Sequence, residues 1–306
     1  MKYIFRKLIS LAMVLLASSI LVFLLIHMIP GDPAEIMAPL GSSAEEIEAI
    51  RIDKGLDKPL TTQYITWIGK IVLEGDFGDS LYSGTSVADT IGSKLKNTLI
   101  LALTGIILAI GIGIPLGIVS AIKQNSVLDL LCMGVSIIGV SMPIFWIGLL
   151  LVMWFSVDLC LLPATGGTTA IELILPTITI ALNSTAVIAR MTRSSMLEVM
   201  KQDYVRTAEA KGMTAMTVIF KHILKNAMIP IITTIGIQFG YLMGGAVLTE
   251  TVFLYPGIGR LIVDSICRRD YPTIQACLLL LTTMFVVINS LIDITYHFFD
   301  PKMKER

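Results

Sequence analysis

Residues 97–122 read NTLILALTGIILAIGIGIPLGIVSAI, and no charged side chain interrupts them. Hydrocarbon offers no partner to a peptide N–H or C=O, so such a stretch is stable in a bilayer only as a helix. At about 1.5 Å per residue the run reaches roughly 39 Å, ample for a hydrocarbon core of about 30 Å. Gly111-Ile112-Gly113-Ile114-Pro115 looks superficially like a phosphate loop. It lies inside the apolar run and no Lys-Ser/Thr follows, so it is not read as nucleotide-binding. The glycines are read as close-packing positions and Pro115 as a kink.

Working outward, the pattern recurs at Leu8–Ile29, Leu130–Val157, Leu173–Ala189, Asn226–Thr249 and Tyr271–Ile292. Together with 97–122 these predict six transmembrane helices, the fourth being the shortest and holding Pro176 and Asn183. The chain of 306 residues is 55% hydrophobic and 15% charged, where a soluble domain carries about a quarter charged residues. The fold class is therefore all-α and polytopic, with the lipid bilayer as its first partner. Net charge is zero, which gives no reason to expect nucleic acid.

The first apolar run follows Lys2, Arg6 and Lys7 and ends in Ile29-Pro30-Gly31-Asp32-Pro33. It exceeds the usual 7–15 residues of a signal-peptide core and lacks a small-residue cleavage site, so it is read as a retained helix. Basic residues set the orientation. With the N-terminus inside, one side holds Lys2, Arg6, Lys7, Lys123, Arg190, Arg193, Lys201, Arg206, Lys211, Lys221, Lys225, Lys302, Lys304 and Arg306. The two short loops opposite hold only Arg260, Arg268 and Arg269. Both termini are expected in the cytoplasm.

The expected organisation is a first helix with its cytoplasmic N-terminus over 1–29, an extracytoplasmic helical loop over 30–96, and a five-helix core over 97–306. In the loop, Ser43-Ala44-Glu45-Glu46 is a capping-box pattern, and Leu60, Tyr64, Trp67, Ile68 and Ile71 recur at helical spacing. Gly75-Asp76-Phe77-Gly78 ends that helix, and Ser86 with Asp89 caps another carrying Val87, Ile91 and Leu95. A docking surface for a partner and plain pore-mouth architecture both remain open for it.

The core contains a cytoplasmic segment, 196–225, of unusual regularity. Asp203-Tyr204-Val205-Arg206-Thr207-Ala208-Glu209-Ala210-Lys211-Gly212 forms a short helix whose glycine suits a left-handed end. Met216, Ile219, Phe220, Ile223 and Leu224 then give an amphipathic return. A plain basic loop held to anionic lipid would not need this ordered pattern.

No catalytic, metal-binding or cofactor constellation is apparent. The histidines are His27, His222 and His297, none beside a suitable Ser or Cys. His27 and Met28 are adjacent and so do not share a helix face; His27 is read as an interfacial anchor. The methionines are scattered as core filling. Cys132, Cys160, Cys267 and Cys277 show no zinc spacing, and whether Cys160 and Cys267 pair is left open. Within the spans, Asn289 and Asp293 lie four apart on one helix face, either as a shifting latch or as static hydrogen bonding. Asn183 is a candidate for the solute path, and Gly240, Gly244 and Gly245 for a close-packing or gate surface.

The stretch 203–230, DYVRTAEAKGMTAMTVIFKHILKNAMIP, resembles the coupling segment of binding-protein-dependent ABC importer permeases, in the dipeptide/oligopeptide/nickel branch. The resemblance extends over Pro30-Gly31-Asp32-Pro33, Gly75-Asp76-Phe77-Gly78, Ser141-Met142-Pro143-Ile144-Phe145-Trp146, Glu250-Thr251-Val252-Phe253, Tyr255-Pro256-Gly257-Ile258-Gly259 and Arg269-Asp270-Tyr271-Pro272. The general coupling consensus has Glu and Pro where Arg206 and Lys225 stand, as is usual in this branch; Tyr255 and Lys302 replace a commoner Trp and Arg. The long outer loop is similar to that of the first of two paired permeases.

The resemblance implies a non-enzymatic, pore-forming subunit of the bacterial cytoplasmic membrane, moving peptides, or alternatively nickel or its chelates, by alternating access. It implies a homologous second permease, two ATP-binding subunits that use the ATP, and an extracytoplasmic solute-binding protein. Asp203, Tyr204, Val205, Arg206, Ala208, Ala210, Lys211 and Gly212 would meet the ATPase. Glu250, Pro256, Gly257 and Gly259 would belong to a gate at the pore mouth. A self-contained secondary transporter is the competing class, against which stand the absence of an evident internal repeat and the confinement of charges mainly to span ends.

Overall fold

A computed structural model describes residues 2–28, 31–39, 41–167 and 169–299; the side chains of 2–6, 8, 245 and 293–299 lie outside the described set. The described residues are helical but for turns and one isolated antiparallel bridge, Asp79 with Ser86. Among the described residues, five helices are long and apolar enough to cross a membrane, and six spans result if one bent pair counts as one. The chain divides into two compact units, Met1–Thr98 with Pro256–Val286, and Leu99–Tyr255 with Val287–Arg306.

In the first unit, α1 (Lys2–His27) carries the N-terminal span and exposes Leu16, Leu21, Leu24 and Leu25, as lipid contact requires. Asp32 caps α2 (Pro33–Met37) by accepting from the Ala34 N–H at 3.0 Å, and its other oxygen pairs with Arg51 Nη2 at 2.6 Å. Ser43 and Glu46 make the predicted capping box at the start of α3 (Ala44–Asp53). On α4 (Leu60–Gly69), Tyr64 hydrogen-bonds Ser19 at 2.8 Å, and Tyr64 and Trp67 pack on Phe23 at 5.4 and 5.8 Å between ring centroids. The helix runs on in wider π-type turns to Glu74, and Gly75 ends it at φ +68°.

The expected separate cap helix before the second span is instead continuous with it: α5 covers Val87–Ile122, 36 residues. Capping at its start is as predicted, with the Asp89 N–H on Ser86 Oγ at 3.5 Å. Val87 and Ile91 pack on Ile258 and Ile262 of α12 (Ile258–Arg268) and on Ala276 and Cys277 of α13 (Tyr271–Phe299). The buried Asp270 carboxylate joins this unit together, accepting from Ser80 Oγ at 2.5 Å, the Leu81 N–H at 3.0 Å and Thr273 Oγ1 at 2.7 Å.

In the second unit, the third predicted span is not one continuous helix. It is α6 (Val127–Ser141) and α7 (Ile144–Leu151, continuing in π-type turns to Asp158), bent by 103° at the break. The cause is local. A residue before proline is pushed out of the helical region, and Met142 accordingly sits at ψ 135° ahead of Pro143.

The fourth span, expected to end at Ala189, is α8 (Ile174–Met200), 27 residues that carry the helix onward into the segment read as a loop. Glycines let α5 approach it. A Cβ on Gly113 would lie 2.9 Å from the Thr185 carbonyl oxygen, and one on Gly117 would lie 2.6 Å from that of Ala189. A Cβ on Gly111, by contrast, would meet nothing within 4 Å.

Candidate functional site

After α8, Lys201 and Gln202 turn the chain into α9 (Asp203–Ala210). Asp203 stands in the first turn, where a negative charge complements the helix dipole. The last turn closes through the Lys211 N–H on the Thr207 carbonyl at 3.1 Å and the Gly212 N–H on that of Glu209 at 2.9 Å. Gly212 takes φ +76°, the left-handed conformation predicted for it and one a side chain strains to adopt. Thr214 then caps α10 (Ala215–Thr217). The amphipathic return is not a separate helix. It passes through π-type turns at Val218–Leu224 straight into α11 (Lys225–Val252).

α9 divides the predicted coupling residues by face. Val205 and Ala208, three apart, are buried, while Asp203, Tyr204, Arg206, Ala210, Lys211 and Gly212 are exposed. The buried pair belongs to a cluster with Ala121 of α5, Met196 of α8, and Val218, Ile223, Ala227 and Ile231 of the return. The knob therefore has an apolar underside seated on two spans and a polar top.

A constellation that sequence reasoning missed lies beside this seat. Asp129, whose side chain is only 6% exposed, is gripped by Arg193 through Nε on Oδ1 and Nη2 on Oδ2, both at 2.7 Å. Ser120 Oγ also donates to Oδ1, and the Asn125 N–H to Oδ2 at 2.9 Å. The sequence shows Asp129 only as an acidic residue between two apolar runs and Arg193 only as one of the orienting charges. The two are 64 positions apart, so no spacing rule joins them; the one available signal was opposite charge at two span ends on the same side.

The gate candidates span the last turn of α11, which holds Glu250, and the stretch after it, which holds Pro256, Gly257 and Gly259. Glu250 is fully buried, and its carbonyl accepts from the Tyr255 N–H at 2.8 Å. Burial first, and the Glu250 charge second, push the Tyr255 phenol up to about 12, so it stays protonated at neutral pH. Within the first unit, Asn97 Nδ2 donates to the Pro256 carbonyl at 2.9 Å and the Ile258 N–H to Thr98 Oγ1 at 2.8 Å. Gly257 and Gly259 are buried at the start of α12. Arg268 lies 4.1 Å from the centroid of the Tyr82 ring.

Among the span candidates, Asn183 on α8 and Asn289 on α13 are half-buried on separate helices. Beside Asn183, Ser184 Oγ donates to Gln238 of α11 at 3.1 Å. Gly240 is buried and Gly244 exposed; the Gly245 and Asp293 side chains lie outside the described residues. Cys160 and Cys267 are exposed free thiols. His27, read as an interfacial anchor, holds Phe23 O at 2.8 Å and Gln63 Oε1 at 3.3 Å.

Comparison with known proteins gives consistent results. Residues 113–305 match the family described as the binding-protein-dependent transport system inner membrane component, and residues 1–102 match the corresponding N-terminal family. The chain is 43% identical over 304 residues to the glutathione transport system permease protein of Escherichia coli (strain K12), covering 99% of both chains. It is 42% identical, with the same coverage, to that of Shigella flexneri serotype 5b (strain 8401).

Among solved structures, the inward-facing MetNI methionine ABC transporter aligns with TM-score 0.60 at 18% identity, over 68% of this chain and 94% of that one. An amino acid ABC transporter crystallised with histidines aligns with TM-score 0.53, also at 18% identity and over 68% and 94% of the two chains. At that identity the likeness concerns the fold alone.

Proposed function

This chain belongs to the family of inner membrane components of binding-protein-dependent transport systems, and on that premise we propose that it carries small peptides inward under the drive of its ATPase partners through α9. It is a multi-pass, non-enzymatic subunit of an ATP-driven importer, and ATP-hydrolysing and solute-binding partners go with it. The observation that carries the coupling role is the two-faced build of α9. Val205 and Ala208 fix it to α5 and α8, while Tyr204, Arg206 and Lys211 face outward for a partner. A push on the outer face is received by two spans at once.

Peptide as the solute is supported by identity over nearly the whole chain to a permease named for glutathione, itself a tripeptide. The full assembly has a homologous second permease and two ATP-binding subunits, and ATP is bound there and not by this chain. Glu250, Pro256, Gly257 and Gly259 form part of an outer gate, with Asn183, Gly244, Gly245, Asn289 and Asp293 in or beside the solute path. Reconstitution tests the substrate. ATP-dependent uptake of labelled glutathione into proteoliposomes, delivered by the cognate binding protein and competed by other short peptides, is the expected result. Uptake of nickel with no uptake of peptide would overturn it.

A further inference from the structure

We propose that Asp129 and Arg193 are positioning residues that hold the ends of α5, α6 and α8 as one block under α9, so that motion of α9 reaches the spans undiminished. The proposal rests on the coupling role given to α9 above.

The placement is specific. Ser120, which donates to the Asp129 carboxylate, adjoins Ala121, one of the residues seating α9. Arg193 stands one helical turn before Met196, another of them. The ion pair ties α8 to α6, and the Ser120 hydrogen bond ties α5 to the same carboxylate, so the two helices on which α9 rests are joined through Asp129 one layer behind the seat.

That turn is itself shaped around the carboxylate. Asn125 takes φ +62°, a left-handed conformation uncommon outside glycine, and in it the N–H meets Asp129 Oδ2. Ser126 caps α6 by accepting from the Asp129 N–H at 3.3 Å. All the contacts a buried carboxylate needs are thus supplied from three elements. A pair of this kind adds little net stability over apolar packing of the same shape, because desolvation opposes the attraction. What a two-pronged guanidinium–carboxylate grip does supply is fixed relative orientation, here of α6 and α8.

The test is the amount of glutathione taken up per ATP hydrolysed in proteoliposomes holding the chain with its partner permease, ATPase subunits and binding protein. Asp129→Asn is expected to lower that ratio about tenfold, within the range by which residues between two sites alter coupling. Arg193→Lys, which keeps the charge but loses the fork, is expected to lower it less. The double variant Asp129→Asn/Arg193→Lys should fall short of the product of the two single losses, because the residues act as a pair.

A purely structural pair would reduce uptake and hydrolysis together and leave the ratio unchanged, and that outcome overturns the proposal. If Asp129→Asn fails to assemble, Arg193→Lys decides alone by the same ratio. Gly212→Pro separates the two layers of the argument. A wild-type ratio in Gly212→Pro defeats the coupling role of α9; a lost ratio there with a wild-type ratio in Asp129→Asn defeats only the positioning role.

Discussion

Three glycines on α5 show how much depends on the absence of a single carbon. A Cβ on Gly117 would meet Thr192 Cβ at 2.5 Å and the Ala189 carbonyl at 2.6 Å, and the latter, being backbone, cannot swing aside. Gly117→Ala should therefore destabilise the detergent-solubilised chain by about 1–3 kcal/mol, the scale of overpacking in a tight interface. Gly111→Ala, with open space at the same point, should be neutral or slightly stabilising because alanine is the better helix former. Thermal unfolding of the two variants checks the contrast. The sequence marked Gly111 and Gly113 alike as close-packing positions; only the helix phase against α8 separates them, and periodicity within one helix does not reveal a neighbour's direction. Asp270 is a second case. Ser80→Ala removes one of its donors and should loosen the outer loop by about 1–3 kcal/mol, seen as faster proteolysis between residues 76 and 86.

At the scale of elements, α9 was legible because its information is local: an acidic start, a glycine stop, and the small residue Ala208 where the seat is close. Arg206 is exposed on its outer face and Val205 buried on its inner one. Arg206→Glu should weaken association with the ATPase subunit, measured by co-purification, while leaving the melting of the isolated chain within about 0.5 kcal/mol. Val205→Asp should lower that melting itself, since it buries an unpaired charge in the cluster. The bend between α6 and α7 was less legible. An apolar run reads the same whether the helix is straight or turned through 103°, and only Pro143 signalled the break. The C-terminal end of α8 and the fusion of the return with α11 were less legible for a similar reason. Charge density marks where hydrocarbon stops, but a helix continues past that boundary as long as its backbone bonds are made.

Over the whole molecule, six apolar runs, the inside excess of basic residues and the 203–212 segment identified a membrane component driven by another chain. The Asp129–Arg193 pair, formed across 64 positions, became visible only in three dimensions. The orientation has a direct check. With Cys160 and Cys267 replaced by Ser, a cysteine at Glu45 should react with an impermeant maleimide in intact spheroplasts and one at Thr214 should not; the reverse would invert the topology. The claim that α9 borrows its power stroke from an ATPase is tested most directly by uptake. In proteoliposomes with all partners, glutathione accumulation in the lumen should require both binding protein on the outside and ATP enclosed on the ATPase side, and should vanish in Gly212→Pro while that variant still inserts. Accumulation driven by an ion gradient without the ATPase subunits, or unimpaired in Gly212→Pro, would contradict it.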